Sequence, residues 1–264
     1  MSTRIIMLKA TSIVLTLFTA SLLFNSNAQA TIVEFQTNHG NFRVNLFDQA
    51  TPQTVENFLG YVDTAAYQNT IIHRSVDVED ENGEVKDFII QGGAYVFPDQ
   101  LPLTEVASNG PILNEPVYSN VRGTIAMAKL GGDPNSASSQ WFFNLGDNSA
   151  SLDPQNGGFT VFGQVIDGGM ETVDTLAAFP TFAFGGALAS LPLANYTDDD
   201  FGDEVTPGAE NFLIVEAIVV VDNNVNSAAN LSPVTNTSIN DDGGTLSWAV
   251  VLLLTLVSLR RRFK

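Results

Sequence analysis

Apolar and polar residues alternate in Ile32-Val33-Glu34-Phe35-Gln36 and again in Phe42-Arg43-Val44-Asn45-Leu46, on either side of the turn-rich Asn38-His39-Gly40-Asn41. A period of two around such a turn predicts a β-hairpin. The period then changes. Thr51-Pro52 offers an N-cap and a first-turn proline, and Val55, Phe58, Leu59 and Val62 follow at helical spacing. A second amphipathic helix is expected over residues 170–177, with Val173 and Leu176 facing inward. Between the helices, apolar runs at 88–91, 124–128, 140–145 and 159–165 are broken by Gly, Pro, Asn and Asp, and 212–221 reads as a last, buried strand. Many short strands with two helices predict a closed barrel or sandwich with helical caps.

The two ends follow neither period. Residues 1–30 place Arg4 and Lys9 ahead of an apolar run and close on Ala28-Gln29-Ala30, the pattern of a secretory signal peptide cleaved before Thr31. Residues 223–244 are rich in Asn, Ser, Thr, Asp and Gly and read as a polar linker. Residues 245–264 begin with an uncharged stretch to Leu259 and end in Arg260-Arg261-Arg262-Phe263-Lys264. Such a helix spans roughly 22 Å against a hydrocarbon core of roughly 30 Å. It is a short membrane segment with a basic cytoplasmic stop. The working domain is therefore expected at 31–222.

Charge and composition narrow the function. Within 31–244 only Arg43, Arg74, Lys86, Arg122 and Lys129 are basic, against 29 acidic residues, a net −24. That surface repels nucleic acid and anionic lipid. There is no cysteine, which excludes disulfides and thiolate metal sites. His39 and His73 sit in no nucleophile or metal-ligand motif, and His73, inside a strand-like run, reads as structural. The acidic stretch from Asp198 to Glu204 lacks EF-hand spacing and reads as a solvated loop.

A series of segments carries the chemistry. It runs Ile72-His73-Arg74, then Asp87-Phe88-Ile89-Ile90-Gln91-Gly92-Gly93, then Asn114-Glu115, then Arg122 to Lys129, Asp133 to Leu145, and Phe159 to Val165. These six segments, in order, resemble the cyclophilin family of peptidyl-prolyl cis-trans isomerases, with most likeness to its bacterial periplasmic branch. The resemblance covers residues from about Thr31 to Val221 and implies a closed eight-stranded antiparallel barrel capped by two helices. It implies Arg74 and Gln91 as catalytic residues, and Phe88, Ile89, Ala128, Lys129, Gln140, Phe142, Leu152 and Phe159 as the substrate groove. The implied partners are proline-containing polypeptides, with no metal and no cofactor, acted on by a monomer.

The sequence also departs from the family pattern. An acidic insertion at 77–86 separates Arg74 from Phe88 and alters the groove's rim. Ser151 stands where cyclosporin-binding members carry Trp, and Phe159 where many have His or Tyr. The stretch 179–211 is long, rich in Gly and Asp, and has no role assignable from sequence. The Gly243-Gly244, apolar and arginine-cluster tail resembles the GlyGly-CTERM sorting signal of Gram-negative bacteria, which implies removal by a rhomboid-type protease. An exported isomerase at the periplasm or cell envelope, tethered to the inner membrane before processing, is the resulting expectation. Two rival readings are a cyclophilin-like binding module without turnover and a structural surface protein.

Overall fold

The computed structural model describes residues 31–79, 82–97, 102–223 and 231–238. The expected signal segment and apolar tail lie outside them, and no described helix is long and apolar enough to cross a membrane.

The predicted hairpin forms from β1 (Ile32–Thr37) and β2 (Phe42–Leu46). Helix α1 (Pro52–Asp63) buries Val55 and Phe58, as their spacing requires. Its capping is a correction. Thr51 is fully buried and its hydroxyl donates back to the Phe47 carbonyl, while the Glu115 carboxylate accepts from the backbone amides of Gln53 and Thr54. A full negative charge at a helix N-terminus satisfies the orphan amides and the dipole better than a hydroxyl can.

The chain then gives β3 (Thr70–Ile71), β4 (Arg74–Glu79), β5 (Val85–Gly92), β6 (Tyr95–Val96) and β7 (Thr104–Glu105). Next come β8 (Thr124–Met127), β9 (Trp141–Asn144), the single turn α2 (Ser149–Leu152) and β10 (Val161–Ile166). Helix α3 (Met170–Ala177) turns Val173 and Leu176 inward as expected. β11 (Thr181–Phe182), β12 (Leu191–Pro192), α4 (Asp198–Gly202) and β13 (Ile214–Asp222) complete the order.

The protein is mainly β, a curled antiparallel sheet with few helices. Its described strands run β4-β5-β9-β8-β10-β2-β1-β13-β3-β6-β7, so the expected closed ring of eight is replaced by an open, eleven-stranded order. The physical reason lies at Ile72-His73. There the chain leaves β13, where the Ile72 amide donates to Leu213, and joins β5, where the His73 amide donates to Gln91. Two single bonds replace a continuous ladder at that seam.

Strands β8 and β9 are buried on both faces, which is why they read as unbroken apolar runs. Trp141, Phe143, Ile125 and Met127 face the main core with Phe35, Phe58 and Phe162. Phe142 and Ala126 face the other side and join a smaller cluster outside the curl. That second face carries the site.

The long stretch 179–211 is not featureless. β11 pairs with β12, and Phe182, Leu191, Leu193 and Tyr196 pack with Ile71, Phe97 and Phe212 as a separate core. The acidic residues expected in a solvated loop open α4, where Thr197 and Asp200 bond reciprocally as a capping box. Among the described residues no three His, Asp or Glu side chains converge as a metal-binding group.

Candidate active site

The acidic insertion leaves Arg74 in place. It is the distal part of the β4–β5 hairpin, with Asp77 opposite Asp87 and Glu79 opposite Val85. On the near side of a register shift, Arg74 stands opposite Gln91 and Val76 opposite Ile89. The extra residues lengthen the hairpin outward and do not slide Arg74 along β5.

From that register the polar edge of the site follows. Arg74 is exposed at the start of β4, and its Nη1 donates to Gln91 Oε1 at 3.4 Å. Gln91 is buried and its Nε2 donates to Gln140 Oε1 at 2.9 Å. The three side chains form one line, the guanidinium outermost. β4 itself is held from its other side, because the Ser75 amide donates to the Ser190 carbonyl at 2.9 Å. The stretch 179–211 thus props the strand that carries Arg74.

Beneath this line lies the apolar floor. Ile89, Phe142 and Leu152 are buried in one cluster with Phe47, Ala126 and Val161, and Phe88, Ala128 and Phe159 pack against it half-buried. Phe159 meets Phe142 edge-on, ring centres 5.7 Å apart. All the expected groove residues therefore gather on one face, with one difference of detail at Lys129. Its Nζ turns back to donate to the carbonyls of Asn156 and Gly158 and lies 4.8 Å from the centre of the Phe159 ring. Burial lowers its pKa to about 8, against which nearby Asp133 acts weakly. The side chain thus packs over Phe159 and ties residue 129 to the turn at 156–158.

Behind the floor runs a buried polar chain that sequence reasoning missed. Asn148 Nδ2 donates to the Phe88 carbonyl and to Asn144 Oδ1, both at 2.8 Å. Asn144 Nδ2 donates to Thr124 Oγ1 at 2.9 Å and to Asn120 Oδ1 at 3.3 Å. Asn120 Nδ2 in turn donates to Asp153 Oδ1 at 3.0 Å and to the Phe159 carbonyl at 3.2 Å. The chain ties the backbones of Phe88 and Phe159, on opposite sides of the groove, to α2. In the sequence these asparagines are indistinguishable from turn punctuation. Buried amides are stable only when bonded, and apart from the Asn148–Asn144 bond their partners lie 20 to 60 residues away.

His73 is structural, as expected. It is 2% exposed, edge-on to Tyr95, with no partner at Nδ1, and desolvation together with neighbouring Arg74 lowers its pKa to about 4. His39 packs on Phe179 and is lowered by partial burial.

Comparison with known proteins shows the family. The family described as cyclophilin type peptidyl-prolyl cis-trans isomerase/CLD matches residues 32–192. The chain is 38% identical over 183 residues to a peptidyl-prolyl cis-trans isomerase of Acinetobacter baylyi, covering 68% of this chain and 87% of that protein. It is 38% identical to peptidyl-prolyl cis-trans isomerase B of Escherichia coli, covering 57% and 86%. A crystal structure of a cyclophilin type isomerase from Cryptosporidium parvum aligns with a TM-score of 0.51 at 25% identity, covering 74% of this chain and 99% of that one. The chain belongs to the cyclophilin-type peptidyl-prolyl cis-trans isomerases.

Proposed function

We propose that this isomerase acts on X–Pro bonds of exported polypeptides and assists their folding, with Arg74 as the group that meets the reacting amide. The observation that carries this reading is the register-matched Arg74–Gln91 pair at the rim of an apolar floor.

The chemistry needs no more than that. Rotation about a peptide bond faces a barrier of about 18–20 kcal/mol because the nitrogen lone pair is delocalised into the carbonyl. Proline narrows the cis/trans gap to roughly 0.5–1 kcal/mol but leaves exchange slow, tens to hundreds of seconds. No bond is made or broken. In the twisted amide the nitrogen regains its lone pair and becomes an acceptor for the Arg74 guanidinium. That bond is weak in the planar ground state and strong at the top of the barrier, as catalysis requires. Gln91, held by Gln140, aims the guanidinium. Phe88, Ile89, Phe142, Leu152 and Phe159 take the proline ring into a dry pocket, which removes the water that stabilises the planar, polar amide. Ala128 and the backbone of Lys129 align the chain on either side.

The test is exchange at an X–Pro tetrapeptide and proline-limited refolding of a long unfolded protein, each measured with the full chain. Acceleration of both supports the reading. Acceleration of neither leaves a binding module.

Export and tethering by residues 1–30 and 245–264 belong to the same proposal, supported by the charge and apolar pattern of the two ends. An apolar stretch shorter than a comfortable span suits a processing intermediate. Mass spectrometry of the native protein should find a C-terminus near Gly243-Gly244, and a mature chain ending in Lys264 would leave a plain anchor.

A further inference from the structure

Residues 231–238, from the stretch that reads as a linker, lie along the domain. Tyr118 and Thr235 form an antiparallel bridge. The Ser119 amide donates to the Val234 carbonyl at 2.8 Å, and the Asn236 amide donates to the Val117 carbonyl at 2.9 Å. Ser119 Oγ adds a bond to the Thr235 carbonyl at 3.2 Å. At the near end Leu231 packs, half-buried, on the same apolar cluster that contains Ile89, Phe142, Leu152 and Phe159. Tyr118, edge-on to Phe47 at 5.0 Å, belongs to that cluster too.

Three features make this more than a stray contact. The first is the edge itself. Residues 117–119 belong to no strand of the sheet; the Val117 amide and the Ser119 carbonyl are bonded locally, to Glu115 and Val121, which leaves the Val117 carbonyl and the Ser119 amide for an added strand. The second is its connection to the groove, since the next residue, Asn120, bonds the Phe159 carbonyl directly. The third is the occupant. Residues 231–238 read Leu-Ser-Pro-Val-Thr-Asn-Thr-Ser, uncharged in a strongly acidic protein, with an X–Pro bond at Ser232-Pro233. In composition it is what an extended, proline-containing client would be.

We propose that residues 117–119 form a strand-addition subsite for extended polypeptide beside the proline groove, and that residues 231–238 are its resident occupant, which a long client must displace. The proposal rests on the groove assignment above. Recognition is by main-chain hydrogen bonds plus one apolar side chain, so it accepts many sequences. Docking is light: Val234 stays 53% exposed, and few bonds hold the segment. Covalent attachment compensates, because a short tether presents its segment at an effective concentration on the order of millimolar. A tetrapeptide fills only the proline pocket and does not compete. A long client does.

The test uses the full chain carrying Leu231→Asp and Asn236→Pro, which removes the apolar anchor and one donated N–H. Proline-limited refolding of a long unfolded protein should be accelerated about threefold to tenfold more than by wild type, as release of a tethered competitor predicts. Tetrapeptide exchange should stay within about twofold of wild type, a change of under about 0.5 kcal/mol, which shows the fold intact. A synthetic peptide of residues 231–238, added to the double variant, should shift the amide resonances of Tyr118 and Ser119. Equal refolding rates for variant and wild type, or no shift at 117–119, overturn the proposal. Loss of tetrapeptide exchange in wild type as well would count against the isomerase mechanism, while the resonance shifts still decide the subsite.

Discussion

Replacing Arg74 with alanine separates what this side chain does for the fold from what it does for the reaction. Arg74 is exposed, and among the described residues its side chain makes one hydrogen bond, to Gln91 at 3.4 Å, at the long limit for such contacts. Its removal should cost less than about 0.5 kcal/mol of stability, the usual range for a surface substitution. The activity should respond very differently. A charge-assisted bond made chiefly to the twisted amide is worth about 1.5–3 kcal/mol, and each 1.36 kcal/mol is about tenfold in rate. Arg74→Ala should therefore lower kcat by roughly 10- to 150-fold, with KM changed little. Gln91→Ala should lower it less, because it only aims the guanidinium. The double variant should be no slower than Arg74→Ala alone, since the two act through one bond. Arg74→Lys should fall between, keeping the charge but losing the planar fork that bonds Gln91 and the substrate together. The assay is exchange at an X–Pro tetrapeptide, with urea unfolding in parallel. An Arg74→Ala enzyme with more than half the wild-type kcat would refute the mechanism. So would additive losses in the double variant.

Three further outcomes follow from the structure. His73 stays neutral down to about pH 4 in the folded protein, whereas in the unfolded chain it protonates near 6.5. Between these values the unfolded state binds the extra proton, so stability falls as pH drops through the window, by up to roughly 3 kcal/mol. Urea midpoints at pH 7 and 4.5 should show a shallower pH slope for His73→Gln, and equal slopes would count against a neutral buried imidazole. A Cβ added at Gly92 would lie 2.5 Å from Cη2 of the fully buried Trp141, so Gly92→Ala should destabilise by about 1–3 kcal/mol. An unchanged denaturation midpoint would contradict that packing. Ser151 is exposed and its hydroxyl bonds the Asn148 carbonyl, so no indole donor stands at the groove's edge. Cyclosporin should therefore inhibit weakly, and nanomolar inhibition would mean that Ala150 to Phe159 has been misassigned.

The hairpin and both principal helices were legible in the chain, because periodicity reports which face of an element is buried; the groove's apolar residues were named only through resemblance. Phe142 and Phe143 illustrate the limit of that signal. Both sit in one unbroken apolar run, yet Phe143 enters the main core and Phe142 the floor of the site. Only the curl of the sheet decides which side is which. The order of Arg74, Gln91, Gln140 and Phe159 along the chain was enough to suggest a common site, through resemblance. The register of β4, β5 and β9 sets Arg74 opposite Gln91 and Gln91 opposite Phe142, side-chain contacts add Gln140 and Phe159, and the acidic insertion grows outward from Arg74.

What sequence could not show is how polar groups choose partners. Glu115 caps α1 in place of Thr51, Asn144 and Asn148 link the two sides of the groove, and Ser190 props β4. Residues 231–238, polar enough to read as a linker, bond the Val117 carbonyl and the Ser119 amide. Burying apolar surface is non-directional and roughly proportional to area, so a one-dimensional pattern records it well. A hydrogen bond requires two groups within about 3 Å at a fixed angle. Groups far apart in the chain meet that condition only after the sheet has curled and its loops have packed, so the tertiary structure alone made those choices.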